Sequence, residues 1–136
     1  MTQEDKYLLL KDLSARLPYG VKCKVNYIIN NETTYGKDVE SECIDTIKRI
    51  NFDTRSVYTE WLGYESDIED IKPYLRPMSS MTEEEKIDYQ AFFNYDGVEY
   101  PDEYIDWLNK NMFDYRGLIE KSLAIAVTEE NNPYKE

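Results

Sequence analysis

The sequence predicts an α+β fold, in which a small antiparallel sheet is flanked by an N-terminal helix and by C-terminal helices. Apolar residues recur at helical spacing near the N-terminus, alternate with polar residues over 21–29, and return to helical spacing after residue 82. A chain of 136 residues with this pattern fits a single domain. Its predicted parts are an N-terminal helix over 1–20, a β-rich part over 21–77, a helical part over 78–127 and a polar tail over 128–136.

The N-terminal helix is predicted to begin after Thr2 and to end at Arg16. Thr2 is a good N-cap residue, and the acidic residues that follow it suit the positive end of the helix dipole. Leu9 and Leu13 share one face, which places Asp12 and Arg16 mainly on the solvent side. The sequence "PYG" then ends the helix.

Four strands are predicted in the β-rich part, and the first three lie within residues 21–64. Residues 21–29 alternate between apolar and polar side chains, as in a strand with one buried face. Residues 43–50 have isoleucines at helical spacing, but their β-branched content favours a strand. We predict a strand there, because the turn "NFDT" and a second strand over 55–64 follow and complete a hairpin. Residues 30–38 are predicted to form a turn, with a short strand around Thr33–Tyr35 as an alternative.

The segment 67–76 predicts a brief helical turn followed by a closing strand. Lys72 precedes Pro73, and a residue before proline disfavours continued helix. Several short strands with a helical turn before the last one suit an SH3-like barrel. An open antiparallel sheet with helices on one face fits the same pattern, so the sequence leaves both arrangements open.

The stretch "PMSSMTEEEK" is predicted to be a linker followed by a helix start. Thr82 lies three residues before Glu85, which is the spacing of a capping box. Ile87, Phe92 and Tyr95 then follow at helical spacing.

The remaining elements are predicted from proline, cap residues and a short apolar run. Residues 94–104 are predicted to form a loop. Near the end of this stretch, Pro101 is well placed as the first residue of a helix that reaches about residue 112. Asp114 is predicted to cap a further helix, "YRGLIEKSL". Residues 124–127 predict a final short strand, and the polar tail after them is predicted to be mobile.

Eight apolar residues on elements that flank the sheet are predicted to share one core. They are Leu9, Leu13, Val21, Val25, Ile71, Leu75, Trp107 and Leu108. Trp61 is also predicted to be buried. The 13 tyrosines suit a small core whose hydroxyl groups reach water, and an interface is the alternative.

The sequence contains no histidine, which limits its chemistry. Ser-His-Asp and Cys-His nucleophilic sites and histidine-based zinc proteases are excluded. Cys23 and Cys43 match no zinc motif and are predicted to be free thiols. Asp67, Glu69 and Asp70 offer oxygen ligands for a hard cation but are predicted to form a solvated turn. No metal, cofactor or catalytic residue is predicted.

The formal net charge is −12, and acidic residues are concentrated in one segment. Residues 81–110 contain nine acidic and two basic residues. Such a surface repels phosphate backbones, so it disfavours direct nucleic-acid binding and suits a basic protein partner. The predicted interaction face consists of Glu83, Glu84, Glu85, Asp88, Asp102, Glu103 and Asp106.

The sequence predicts a cytoplasmic protein that makes no membrane contact. No apolar run approaches the ~18 residues that a membrane-spanning helix needs. The opening "MTQEDK" lacks the basic start and apolar core of a signal peptide.

Three blocks of the chain resemble a group of small uncharacterised proteins from gut Bacteroidales and from their phages and mobile elements. The blocks are "LLLKDLSARLPYGVK" at 8–22, "DIEDIKPYLRPMSSMTEEEK" at 67–86 and "IDWLNKNMFDYRGLIEKSLAI" at 105–125. The stretch 23–66 departs from the group. The resemblance implies a common fold and a mobile-element context, and it implies no activity, cofactor or catalytic residue.

Three functions are compatible with these observations. The first is a non-enzymatic accessory protein that acts by protein–protein contact through an acidic, tyrosine-rich surface. The second is a nucleic-acid mimic that inhibits a host DNA-binding or defence protein. The third is an enzyme that uses carboxylate, tyrosine or lysine groups on a small ligand.

Overall fold

Three α-helices and two β-sheets make up the regular structure of the computed structural model, which describes residues 1–135. The helices are α1 (Gln3–Arg16), α2 (Glu83–Ala91) and α3 (Pro101–Lys110). The strands are β1 (Lys22–Ile29), β2 (Val39–Asn51), β3 (Ser56–Thr59), β4 (Glu65–Asp67), β5 (Ile71–Leu75), β6 (Phe93–Asn94), β7 (Gly97–Val98) and β8 (Ile125–Ala126). The predicted α+β fold with an N-terminal helix is confirmed.

The larger sheet has the strand order β4-β3-β2-β1-β5-β8, and β6 and β7 form a separate hairpin. All pairs from β4 to β5 are antiparallel, as predicted. The pair β5–β8 is parallel, so β8 makes the sheet mixed at one edge, a strand direction that the sequence did not predict. The reason is the long connection through α2 and α3, because parallel neighbours need a crossover of a dozen or more residues.

The helix α1 begins and ends as predicted. Thr2 and Asp5 form a reciprocal capping box, which satisfies two backbone N–H groups at the start of the helix. After a 3₁₀ turn, Gly20 takes a left-handed conformation (φ +72°) that turns the chain into β1. The predicted core residues Leu9 and Leu13 are fully buried against the sheet.

Asp12 and Arg16 are fully buried, so their predicted place on the solvent side is wrong. Arg16 donates to both carboxylate oxygens of Asp12 (2.9 and 3.1 Å) and to the carbonyl oxygen of Phe113 (2.7 Å). Arg116 donates to the same carboxylate at 3.0 Å. The polar face of α1 therefore docks on the segment 113–116, and the buried charges are paired as burial requires.

One apolar core lies between α1, the larger sheet and the segment 118–124. It contains six of the eight predicted residues: Leu9, Leu13, Val21, Val25, Ile71 and Leu75. Leu108 is buried but lies outside that cluster, and Trp107 is only half-buried. Trp107 stacks on Phe113 instead (centroids 5.4 Å apart), so the prediction of one shared core is wrong for these two residues.

Trp61 is 69% exposed, which contradicts its predicted burial. The buried carboxylate of Asp45 accepts hydrogen bonds from the backbone N–H groups of Trp61 and Leu62. These bonds fix the turn after β3, and the indole ring then lies outside the core. It makes an edge-on contact with Tyr27, with ring centroids 6.5 Å apart.

Several predicted element bounds differ in the structure. β2 extends the predicted strand 43–50 in both directions, and β3 is shorter than the predicted strand 55–64. The alternative strand around Thr33–Tyr35 is a 3₁₀ turn over Glu32–Thr34, capped by Asn31. The predicted helical turn before the closing strand is confirmed as a 3₁₀ turn over Ile68–Asp70, followed directly by β5.

The C-terminal segments also differ from the prediction. Asp114 accepts hydrogen bonds from the N–H groups of Leu118 and Ile119, as a cap would, but no helix follows it within residues 115–123. Gly117 (φ +75°) leaves the helical region, so the chain continues in turns. The predicted loop over 94–104 contains the β6–β7 hairpin and the first residues of α3.

The polar tail contacts the sheet through Tyr134. The hydroxyl of Tyr134 accepts from the N–H of Lys22 (3.0 Å) and lies 2.8 Å from the carbonyl oxygen of Tyr74, to which it can donate. Burial raises the pKa of Tyr134, so the hydroxyl stays protonated and able to donate. The tail thus joins β1 to β5.

Candidate functional site

The predicted interaction face lies on a lobe formed by α2, the β6–β7 hairpin and α3, here called the helical lobe (residues 78–112). Five aromatic side chains pack against one another in this lobe, and each of them remains at least partly exposed to solvent. Ring centroids lie 5.0–6.3 Å apart in tilted and edge-on contacts. The rings belong to Tyr89, Phe92, Phe93, Tyr104 and Trp107.

Glu85 joins the helical lobe to the sheet. Its carboxylate accepts two hydrogen bonds from Arg76 (2.7 and 2.6 Å) and one from the backbone N–H of Thr82 (2.9 Å). The Arg76 guanidinium lies 4.3 Å from the ring centroid of Phe113, which continues the contact into the aromatic cluster. The hydrogen bonds from Arg76 lower the pKa of Glu85 to about 2, although burial opposes them. Glu85 was predicted to belong to the interaction face, but in the structure it links α2 to the end of β5.

The other predicted face residues are exposed to solvent. Glu83 pairs with Lys86 (3.2 Å). The remaining five form no salt bridge within residues 1–135; they are Glu84, Asp88, Asp102, Glu103 and Asp106. The structure thus brings unpaired carboxylates of α2 and α3 onto one lobe.

The helical lobe also exposes apolar side chains among these carboxylates. Ile87 is 69% exposed, Tyr100 is 63% exposed and Tyr95 is fully exposed. α2 has no buried residue at all. Of the residues predicted at helical spacing, Ile87 is exposed on α2, Phe92 follows the helix end and is half-buried, and Tyr95 lies beyond β6 and is exposed.

A groove on the larger sheet, here called the sheet groove, was not predicted from the sequence. Its volume is about 790 Å³. It is lined by strands β1, β2 and β4, by the residue before β4 and by the 3₁₀ turn over Ile68–Asp70. The lining residues are Lys24, Asn26, Tyr27, Ile28, Glu40, Ser41, Glu42, Tyr64, Glu65, Ser66, Asp67 and Asp70.

The sheet groove is acidic. Five carboxylates line it against one lysine, and that lysine is paired with Glu42 (3.1 Å). Burial raises the pKa of Asp70, and the neighbouring charges of Asp67 and Glu69 raise it further. Like charges are thus crowded at one end of the groove.

The acidic turn 67–70 has structural roles in the fold. Asp67 caps the 3₁₀ turn by accepting from the N–H of Glu69 (2.9 Å), and Glu69 pairs with Lys6 of α1 (3.0 Å). Within residues 1–135, no group of three or more acidic, cysteine or histidine side chains is placed to hold a metal ion.

Cys23 and Cys43 are free thiols on the same face of adjacent strands. Burial raises the pKa of both, and the charge of Asp45 raises each of them further. A high pKa keeps a thiol protonated and poorly nucleophilic. The pair thus behaves as packing rather than as reactive groups.

No protein-family model, curated protein or solved structure matches this chain. Across residues 1–135, the helices are all too short or too polar to cross a membrane.

Proposed function

We propose that this chain is a non-enzymatic, acidic accessory protein of phage or mobile-element type, which acts in the cytoplasm by contact with a protein partner. The observation that carries the proposal is the surface of the helical lobe, where exposed apolar side chains lie among unpaired carboxylates. Exposed apolar patches on a folded protein commonly mark interaction sites. The phage or mobile-element setting rests on the resemblance of the three sequence blocks.

The helical lobe is suited to binding because it is held in place before any partner arrives. An ordinary surface helix buries an apolar stripe, whereas α2 buries no residue. The Glu85–Arg76 ion pair and the stacking of Trp107 on Phe113, which also contacts Arg76, hold the lobe against the end of β5. A preordered surface avoids most of the entropy cost of ordering on binding.

The charge of the helical lobe favours a basic partner. The five unpaired carboxylates on α2 and α3 would be complemented by lysine and arginine side chains, while Ile87 and Tyr100 supply apolar contact area. The same charge disfavours direct binding to nucleic acid. Imitation of nucleic acid is a special case of this proposal, in which the partner is a DNA-binding protein.

The absence of histidine and the raised pKa values of both thiols support a binding role over catalysis. An enzymatic alternative would have to use the carboxylates and tyrosines of the sheet groove.

The five strands β1–β5 also support the SH3-like barrel as our proposal for this part of the fold. Their order, β4-β3-β2-β1-β5, and the 3₁₀ turn between β4 and β5 are the arrangement expected of such a barrel. Because unrelated functions share small barrels, the proposed contact function rests on the helical lobe and not on the barrel.

The test is affinity capture from the natural host, followed by measured binding of the captured protein. Parent protein is compared with the charge reversal E84K/D88K and with the matched control E129K/E130K, which reverses two exposed carboxylates of the tail. We expect the lobe variant to lose the partner and the control to retain it. Equal retention by both variants would overturn the proposal. If DNA displaces the bound partner, the partner is a DNA-binding protein and this chain acts as a nucleic-acid mimic.

A further inference from the structure

The sheet groove has the features of a second binding site, separate from the helical lobe. It combines acidic side chains with exposed aromatic and apolar ones: Tyr64 is 47% exposed and Ile28 is 61% exposed. Arginine and lysine side chains suit this mixture, because their charged ends pair with carboxylates and their flat or aliphatic parts pack on rings. Charge complementarity therefore indicates a cationic occupant.

The strand edge beside the groove indicates the form of that occupant. The ladder between β1 and β5 covers Cys23–Val25 and ends there, while β1 continues to Ile29. Asn26, Tyr27 and Ile28 are consecutive lining residues. Since successive side chains of a strand point to opposite faces, a groove lined by all three runs along the strand edge. Backbone N–H and C=O groups on such an edge can pair with an added strand.

The outer edge of the neighbouring strand β2 is also unpaired in this region. Pairing between β2 and β3 begins at Ile47, so the N-terminal half of β2 pairs with β1 alone. β1 and β2 thus extend beyond the rest of the sheet as a two-stranded arm. An arm of this kind gains stability from a third strand, because two-stranded hairpins are marginal by themselves.

We propose that the sheet groove binds an extended, basic segment of a partner protein, which pairs with the free edge of β1 at residues 26–29 and places its cationic side chains against the groove carboxylates. Glu40 and Glu65 are the best-placed groups for this role. Both are exposed, and neither forms a salt bridge within residues 1–135. Glu42 and Asp67 already have partners in Lys24 and the N–H of Glu69.

An extended segment fits the groove better than a small cation. Small-molecule sites usually enclose most of the ligand surface, whereas this groove is open along the arm. A peptide gains main-chain hydrogen bonds along its length, so it does not need enclosure. Main-chain pairing supplies affinity, and the groove carboxylates select a basic sequence.

The test uses a short, labelled peptide in which arginine and valine alternate, and it measures binding by fluorescence anisotropy. We expect the variant E40K/E65K to weaken binding at least about tenfold, as loss and reversal of two close charge pairs implies. The lobe variant E84K/D88K should bind like the parent. Equal binding by parent and E40K/E65K would overturn the proposal, and so would loss of binding in the lobe variant alone.

Two further measurements separate strand addition from simple charge attraction. A peptide with proline at every valine position keeps its charge but cannot form a ladder, so it should bind at least about tenfold more weakly. Hydrogen exchange of the amides at 26–29 should slow when the alternating peptide binds. Equal affinity for the proline peptide, or displacement of the alternating peptide by spermidine at equal concentration, would overturn the strand-addition part. Circular dichroism of E40K/E65K matching the parent confirms that the variant is folded.

Discussion

At the scale of single residues, Glu85 connects the start of α2, the end of β5 and the aromatic cluster through one carboxylate. It closes the capping box with Thr82 and accepts two hydrogen bonds from Arg76. Glutamine can still close a capping box, so E85Q removes the ionic part of the contact while it keeps the cap. This makes the residue a clean probe of how firmly the helical lobe is attached.

We expect E85Q to lower the free energy of unfolding at neutral pH by about 1.5–3 kcal/mol, the usual value of hydrogen bonds to charged groups. The folded-state pKa of Glu85 is lowered from its ordinary value of 4.5 to about 2. A lowered carboxylate pKa stabilises the fold above the unfolded value, and this contribution disappears as pH falls. The difference between parent and E85Q should therefore be full above pH 4.5 and shrink toward pH 2.

Urea unfolding of both proteins across this pH range measures the difference. E84Q is the matched control, because Glu84 is an exposed neighbour on the same helix that forms no salt bridge within residues 1–135. A constant difference from neutral to acid pH would show that the Glu85–Arg76 pair does not stabilise the fold through charge.

Sequence reasoning at this scale was reliable for caps and unreliable for partners. The capping box of Thr82 and Glu85 was predicted because it depends on residues three apart, and Thr2 was predicted as a cap, although its reciprocal bond with Asp5 was not. The burial of Asp12 and Arg16 depends on Arg116 and on the carbonyl of Phe113, about a hundred positions away. A charged residue on an amphipathic helix looks solvent-exposed until such a distant partner is known.

At the scale of elements, α1 is docked on the sheet by an apolar face and a polar face together. Leu13 is fully buried in the core, and Asp12 beside it is paired with Arg16 and Arg116. The two contacts act on different sides of the helix. The apolar contact can therefore be tested by itself at Leu13.

We expect L13A to lower the free energy of unfolding by about 2–5 kcal/mol, as truncation of a buried leucine usually does. S14A on the solvent side of the same helix is the control, and it should change stability by no more than about 0.5 kcal/mol. Thermal and urea unfolding measure both. If L13A melts within about a degree of the parent, α1 is not docked as the structure shows.

Elements with strong local periodicity were predicted, and those fixed by distant contacts were not. The alternation in β1 and the turn before β5 identified these two strands correctly. The segment after Asp114 has a cap and apolar residues, yet Gly117 diverts it. The sheet groove escaped prediction for a similar reason, because its walls come from three separate stretches of the chain, 24–28, 40–42 and 64–70.

At the scale of the whole molecule, exposed apolar side chains lie beside acidic groups on two separate surfaces. The helical lobe presents five unpaired carboxylates on α2 and α3, and the sheet groove presents another acidic set. The segment 81–110, with nine acidic and two basic residues, accounts for much of the net charge of −12. The field in front of the helical lobe is therefore strongly negative.

A field of this kind acts mainly on the rate at which a partner arrives. Long-range attraction steers a basic partner toward the surface, and added salt screens it with a Debye length of about 8 Å at physiological ionic strength. We expect the association rate constant of the captured partner to fall steeply from low to high salt. Charge reversal at Glu84 and Asp88 should slow association more than it speeds dissociation, because exposed charges chiefly affect encounter.

Surface plasmon resonance at several salt concentrations separates the two rates, with E129K/E130K as the control for net charge alone. An association rate that ignores both salt and the lobe reversals would show that these carboxylates do not guide the partner, and binding would then depend on apolar contact at Ile87 and Tyr100.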